Sequence, residues 1–169
     1  MTPQEFCDRY LPESWGERDL QLLLQRKMRR YKLLQAPDEV RIRTTYTTRR
    51  ADISTWLSVY EVKRYLTRSD IFHAVAQTEL YTHYGDKLFW VIPKRRVVVG
   101  LAPPEYQDYQ SAISVARDFR AMGIEVIFVN EFGLNISILE FKFIGVAIAI
   151  SAIVLVGLIV SGYFLANFL

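Results

Sequence analysis

Glu61 and Lys63 are separated by a single residue, so on a strand both side chains leave one face while Val62 leaves the other. Asp52 belongs to the preceding strand-like run and can lie alongside them. Two carboxylates and one ammonium would then converge at one end of a sheet. Hard oxygen ligands of this kind hold Mg²⁺ or Mn²⁺, and such an ion polarises a phosphodiester and helps make hydroxide from water. The lysine can orient or deprotonate that water, or steady the charge that develops on the phosphorane. On spacing alone the alternative is a surface ion pair on an edge strand, because Glu-x-Lys is a frequent triplet.

Gln77 and Tyr81 lie four apart on the next helical run and share a face with Asp70 and Ala74. Facing a sheet edge, that stripe would meet a partner; facing solvent, it is an ordinary polar face with a half-buried tyrosine. His73, one turn before Gln77, and His83, near the helix end where the dipole favours a cation, read as structural or solvent-facing. Ser/His/Asp catalysis has no supporting spacing, and no glycine-rich phosphate loop is present. Cys7 is the single cysteine, which excludes an internal disulfide, and with His73 and His83 it falls short of the four ligands of a structural zinc site.

Three segments carry the chemistry together: Arg50-Ala51-Asp52, Tyr60-Glu61-Val62-Lys63 and Gln77-Thr78-Glu79-Leu80-Tyr81. The set resembles the PD-(D/E)xK, restriction-endonuclease-like nuclease superfamily, and within it the RecB-like branch. That branch has a metal-binding Asp, a Glu-x-Lys on the next strand and a Gln-x-x-x-Tyr on the helix after it. The resemblance covers residues 14–130. It implies an α/β (α+β) sandwich with an αβββαβ core, and Mg²⁺ or Mn²⁺ bound by Asp52, Glu61 and the backbone carbonyl of Val62. By the same resemblance Lys63 is the catalytic base or electrostatic stabiliser, while Gln77 and Tyr81 support the site or contact DNA. Many relatives add a Glu from the first helix, for which Glu17 is the counterpart; a helix-capping role for Glu17 is the equal alternative. Ala51 stands where the superfamily name has Pro, a variation common in the family. The implied activity is hydrolysis of phosphodiester bonds, with DNA ahead of RNA as substrate.

Helical spacing of Leu20, Leu23, Leu24, Met28 and Tyr31 predicts a first helix over residues 13–34, with Ser14 as N-cap and Glu17 completing a capping box. Residues 40–47, 51–57 and 58–64 read as an antiparallel meander, although the second turn carries no Gly or Pro. A helix from Ser69 to Tyr84 is expected to close on Gly85 as a left-handed cap. Residues 88–92 read as a buried strand, 97–101 as an ambiguous one, 105–122 as a helix, 124–129 as the last strand and 131–142 as a linker.

Charge and hydropathy place these elements in a setting. Residues 26–50 hold Arg26, Lys27, Arg29, Arg30, Lys32, Arg41, Arg43, Arg49 and Arg50 against Asp38 and Glu39, a local charge of +7 in a chain of net charge +3. That stretch is either a solvated face beside an anionic membrane or a surface that tracks nucleic-acid phosphates. An uncharged apolar run opens at Phe143 and closes at Leu169; its 27 residues would reach roughly 40 Å as a helix, enough to cross a bilayer once. With no signal-peptide-like opening, the expected plan is a cytosolic domain over residues 1–141 and a tail anchor over 142–169, a single-pass membrane protein. Gly145 with Ala149, and Gly157 with Ser161, are small pairs through which the span could form a homo-oligomer, although apolar spans are rich in such residues anyway. Two rivals stand beside a nuclease. One is an inactive nuclease-like module that tethers nucleic acid or protein to the membrane; the other is an adaptor whose basic stretch binds anionic lipid.

Overall fold

The structure, a computed structural model, describes residues 1–29, 38–43, 48–85 and 94–134; at positions 38, 39, 43 and 49 it describes the backbone alone. The chain divides into two compact units, Met1–Ile136 and Ser137–Leu169. The second unit, and with it the expected membrane span, lies outside the described residues. No helix among the described residues is long and apolar enough to cross a membrane.

The first unit is a mixed α/β fold: α1 (Pro3–Tyr10), α2 (Glu17–Arg29), β1 (Asp38–Arg43), β2 (Thr48–Ser54), β3 (Ser58–Tyr65), α3 (Arg68–Tyr84), β4 (Arg95–Leu101), α4 (Tyr106–Ala121), β5 (Ile124–Phe128) and α5 (Val129–Phe132). The five strands form one mixed sheet in the order β1-β2-β3-β4-β5. The first three are antiparallel, as short connections demand. β3, β4 and β5 are parallel, with α3 and α4 as the crossovers.

Buried apolar residues of α3 and α4 (Ile71, Ala74, Val75, Ala112, Val115, Ala116) pack on Val98, Val126 and Phe128, one face of β4 and β5. Their neighbours Val97, Val99 and Ile127 point the other way and are buried too, the continuous apolar pattern of strands covered on both faces. α2 packs on β2 and β3 through Leu20, Leu24 and Met28, at most 1 % exposed. Gly100 sits opposite Lys63 where the β3–β4 register shifts, and a Cβ there would lie 2.5 Å from the Lys63 carbonyl oxygen. Glycine is therefore what lets β4 approach the strand that carries Lys63.

Several expectations shift. α1 was not anticipated, although Thr2, Pro3 and Glu5 form a full capping box with proline in the first turn. α2 begins at Glu17, not residue 13: the Gly16 N–H bonds to the Asp19 carboxylate at 2.8 Å, so Asp19 takes the part expected of Glu17, and Ser14 is no cap. Gly85 keeps φ −83°, extended and not left-handed; its N–H still closes α3 on the Tyr81 carbonyl at 2.7 Å. It is needed for closeness, since a Cβ there would meet that oxygen at 2.3 Å. α3 starts one residue before Ser69, at Arg68, with Thr67 as its N-cap. The β2–β3 turn needs no glycine because Thr55 ties it, through its N–H to the Ser58 carbonyl (2.8 Å) and its Oγ1 to the Ser58 N–H (3.0 Å). The segment read as ambiguous is the inner strand β4, whereas the strand expected at residues 88–92 lies outside the described residues. α5 occupies the start of the expected linker.

Candidate functional site

The β2–β3 ladder pairs Ser54 with Val59 and Ile53 with Tyr60. Continued in the same register it would set Asp52 against Glu61, and there the pairing stops. Into that opening the Asp52 carboxylate accepts the Val62 N–H at 2.7 Å, doing the work of the missing strand carbonyl. In a strand the N–H and C=O of one residue point the same way, so the Val62 carbonyl faces the same opening.

Glu61 is 2 % exposed and holds two partners. Its Oε1 accepts from Lys63 Nζ at 2.8 Å, and its Oε2 lies 3.1 Å from the Tyr81 hydroxyl. Tyr81, buried on α3, is also 2.7 Å from the Arg50 carbonyl. With one proton to give, the phenol serves either oxygen; a protonated Glu61 can donate to the phenol, which then stays on Arg50. Glu17 Oε1 stands 4.0 Å from Lys63 Nζ, so the first turn of α2 adds a third carboxylate to the neighbourhood of one ammonium. Since Asp19 caps α2, the capping explanation for Glu17 falls away.

Burial, then the charge of Asp52, raise Glu61 from 4.5 to about 7, against the opposing pull of Lys63 and Tyr81. Asp52 is also raised, chiefly by burial, with the Val62 N–H and Lys63 pulling the other way. Burial opposes the charge on Lys63, but Glu61, Glu17 and Asp52 outweigh it and hold the ammonium above its ordinary value. Lys63 thus stays charged, while Glu61, deeper and beside a second carboxylate, ionises with difficulty.

Gln77 has no hydrogen bond to this group; half-buried, it lines a shallow cleft with His73, Leu80 and Tyr81. Of the basic residues, Arg26, Arg29, Arg41 and Arg50 are exposed and Lys27 is half-buried, while Arg30 and the side chains of Arg43 and Arg49 lie outside the described residues. Arg41 and Arg50 are direct cross-strand partners. Three residues escaped the sequence reading. Arg18 extends the exposed Arg26 and Arg29 stripe of α2 and acts on Asp52 electrostatically. Lys94 Nζ reaches Ser54 Oγ at 2.9 Å and lines a second cleft with Arg41 and Tyr81. Gln21 donates to the Asp52 carbonyl at 2.6 Å. Arg18, eight residues before Arg26 and eleven before Arg29 and so on the same side of α2, and a glutamine beside the buried Leu20 and Leu24, were the available signals.

Among the described residues no three His, Cys, Asp or Glu side chains are arranged as a metal cage. The donor set still suits a hard ion. Mg²⁺ keeps several waters and takes one or two protein carboxylates, and the oxygens of Asp52 and Glu61 with the Val62 carbonyl are of that kind. No protein-family model, curated protein or solved structure matches the chain.

A carboxyl raised on folding binds its proton more tightly in the native protein, so Glu61 makes stability fall as pH rises from 4.5 to about 7. The melting temperature of the metal-free protein in chelator should drop between about pH 5 and pH 8, and Glu61→Gln should flatten that slope. Equal slopes in parent and variant would contradict the assigned burial of a charge at Glu61.

Proposed function

We propose that the chain is a metal-dependent nuclease of PD-(D/E)xK type, acting on DNA in preference to RNA. The observation that carries this reading is the convergence of Asp52, Glu61 and Lys63 where the β2–β3 ladder opens, with Tyr81 held on Glu61. The sheet order, with a meander feeding two parallel strands through helices, agrees with the αβββαβ core of that superfamily. A bound Mg²⁺ or Mn²⁺ would polarise the scissile phosphate and lower the pKa of a water. Asp52, Glu61 and the Val62 carbonyl are the groups that would hold it, with Glu17 at the rim. Lys63 Nζ, 2.8 Å from Glu61 Oε1, would orient the attacking water and offset charge on the phosphorane. Tyr81 keeps Glu61 in place, and the low water access around a 2 %-exposed carboxylate strengthens each of these interactions.

Substrate binding falls to the arginines. Like charges opposite each other across two strands oppose folding, and an anion between Arg41 and Arg50 relieves that. The stripe of Arg18, Arg26 and Arg29 on α2 would track the same backbone. The tail belongs to the same proposal: the run from Phe143 to Leu169 would anchor the unit as a single-pass membrane protein with the catalytic domain in the cytosol.

Cleavage of DNA should require Mg²⁺ or Mn²⁺, stop in chelator, and fall at least about 100-fold in Asp52→Ala, Glu61→Ala and Lys63→Ala. Arg41→Ala with Arg50→Ala should instead weaken DNA binding and lower its salt slope by about 2. Cutting that survives in chelator or in Glu61→Ala would refute the mechanism. The full chain should stay in the pellet after alkaline carbonate extraction; recovery in the supernatant would defeat the anchor.

A further inference from the structure

Two helices reach the β2 backbone where the β2–β3 ladder is open. Carbonyls alternate between strand edges; Thr55, bonded to Ser58, shares the β3 edge with Ile53 and Ala51, so the carbonyls of Arg50 and Asp52 lie on the other edge, and both accept from side chains. Tyr81 from α3 reaches Arg50 at 2.7 Å, and Gln21 from α2 reaches Asp52 at 2.6 Å through Nε2. Gln21 is 5 % exposed, so this bond does not compete with water. The residue it grips is the one whose carboxylate bridges to the Val62 N–H.

We infer that Gln21 is a positioning residue for the metal-binding pair: its carboxamide grips the Asp52 backbone and sets how far the Asp52 carboxylate stands from Glu61. The inference rests on the reading of Asp52 and Glu61 as metal ligands. The geometry excludes direct action, since the donor serves a backbone carbonyl and not a reacting group. Its effect passes along one residue, from the carbonyl of Asp52 to its side chain, and so to the Val62 amide and the opening that the Val62 carbonyl faces. Removing the donor would leave the β2 backbone free to shift there, because no β3 partner holds it at that point.

Gln21→Met keeps the length and removes the donor, and Gln21→Asn keeps the amide but shortens its reach; either serves if the other fails to fold. Three readouts are taken on the full chain: amide hydrogen exchange at Val62 in chelator, Mn²⁺ affinity by calorimetry, and DNA affinity in chelator. The variants should exchange Val62 about tenfold faster or more and bind Mn²⁺ about tenfold more weakly, with DNA affinity and the exchange of Val98 and Val126 unchanged. Unchanged Val62 exchange, or acceleration spread evenly to Val98 and Val126, would overturn the inference. A parent that binds no Mn²⁺, while Val62 exchange still responds to Gln21, would overturn the nuclease reading and uphold the positioning of Asp52.

Discussion

Everything in the candidate site follows from the point at which two antiparallel strands stop pairing. β2 and β3 share two paired positions beyond their turn and then part at Asp52 and Glu61. A sheet interior that leaves backbone groups without partners is costly, about 1–3 kcal/mol for each buried group. Here the Asp52 carboxylate takes the Val62 N–H that the ladder leaves open, while Tyr81 and Gln21 tie down the β2 backbone beside it through the carbonyls of Arg50 and Asp52. The opening is therefore a built feature. It lets two carboxylates stand opposite each other instead of being flattened into a continuous sheet, and two helices are recruited to hold its edges.

That arrangement sets the electrostatics. Burial raises both Asp52 and Glu61; the charge of Asp52 then raises Glu61 further, and that of Glu17 raises Asp52. Lys63 partly answers this from the same face of β3, with Glu17 close behind it. Three acids around one ammonium leave a deficit of positive charge, with Glu61 buried, Asp52 and Lys63 half-buried and Glu17 exposed at the rim. A divalent cation would correct that deficit, which is the physical sense in which the site asks for a metal. The ammonium of Lys63, 2.8 Å from Glu61, offsets part of the charge that a bound cation would offset under the proposed function.

Much of this was legible in the chain, for reasons that differ by residue. The two-residue period of a strand puts Glu61 and Lys63 on one face whatever surrounds them, and the meander leaves Asp52 only one neighbour to lie beside. Tyr81 follows from helix geometry once α3 packs on β3. Gln21 was hidden because its partner is a backbone carbonyl 31 residues away, which no local pattern signals. Gln77 illustrates the reverse: it shares a helix face with Tyr81, yet of the two Tyr81 bonds the carboxylate and Gln77 lines a cleft beside it. The start of α2 went astray because Ser14 and Glu17 satisfy the capping-box spacing as well as Gly16 and Asp19 do, and only the bond to Asp19 decides between them. β4 begins two residues ahead of the expected 97–101, at Arg95 and Arg96; both are carried at the start of its pairing with β3, where Glu125 and Glu79 answer them.

The central claim is that Asp52 and Glu61 form a pair whose mutual repulsion is relieved by a divalent ion. Thermal melts of the parent and of Asp52→Asn, each with Mn²⁺ and with chelator, test it most directly. Without metal the variant should be the more stable by roughly 1 kcal/mol, because the substitution keeps the shape of the side chain while removing one charge. With Mn²⁺ the order should reverse, since the ion stabilises only the protein able to hold it. Equal shifts of both melting temperatures on adding Mn²⁺ would contradict the account and show that Asp52 is not a ligand.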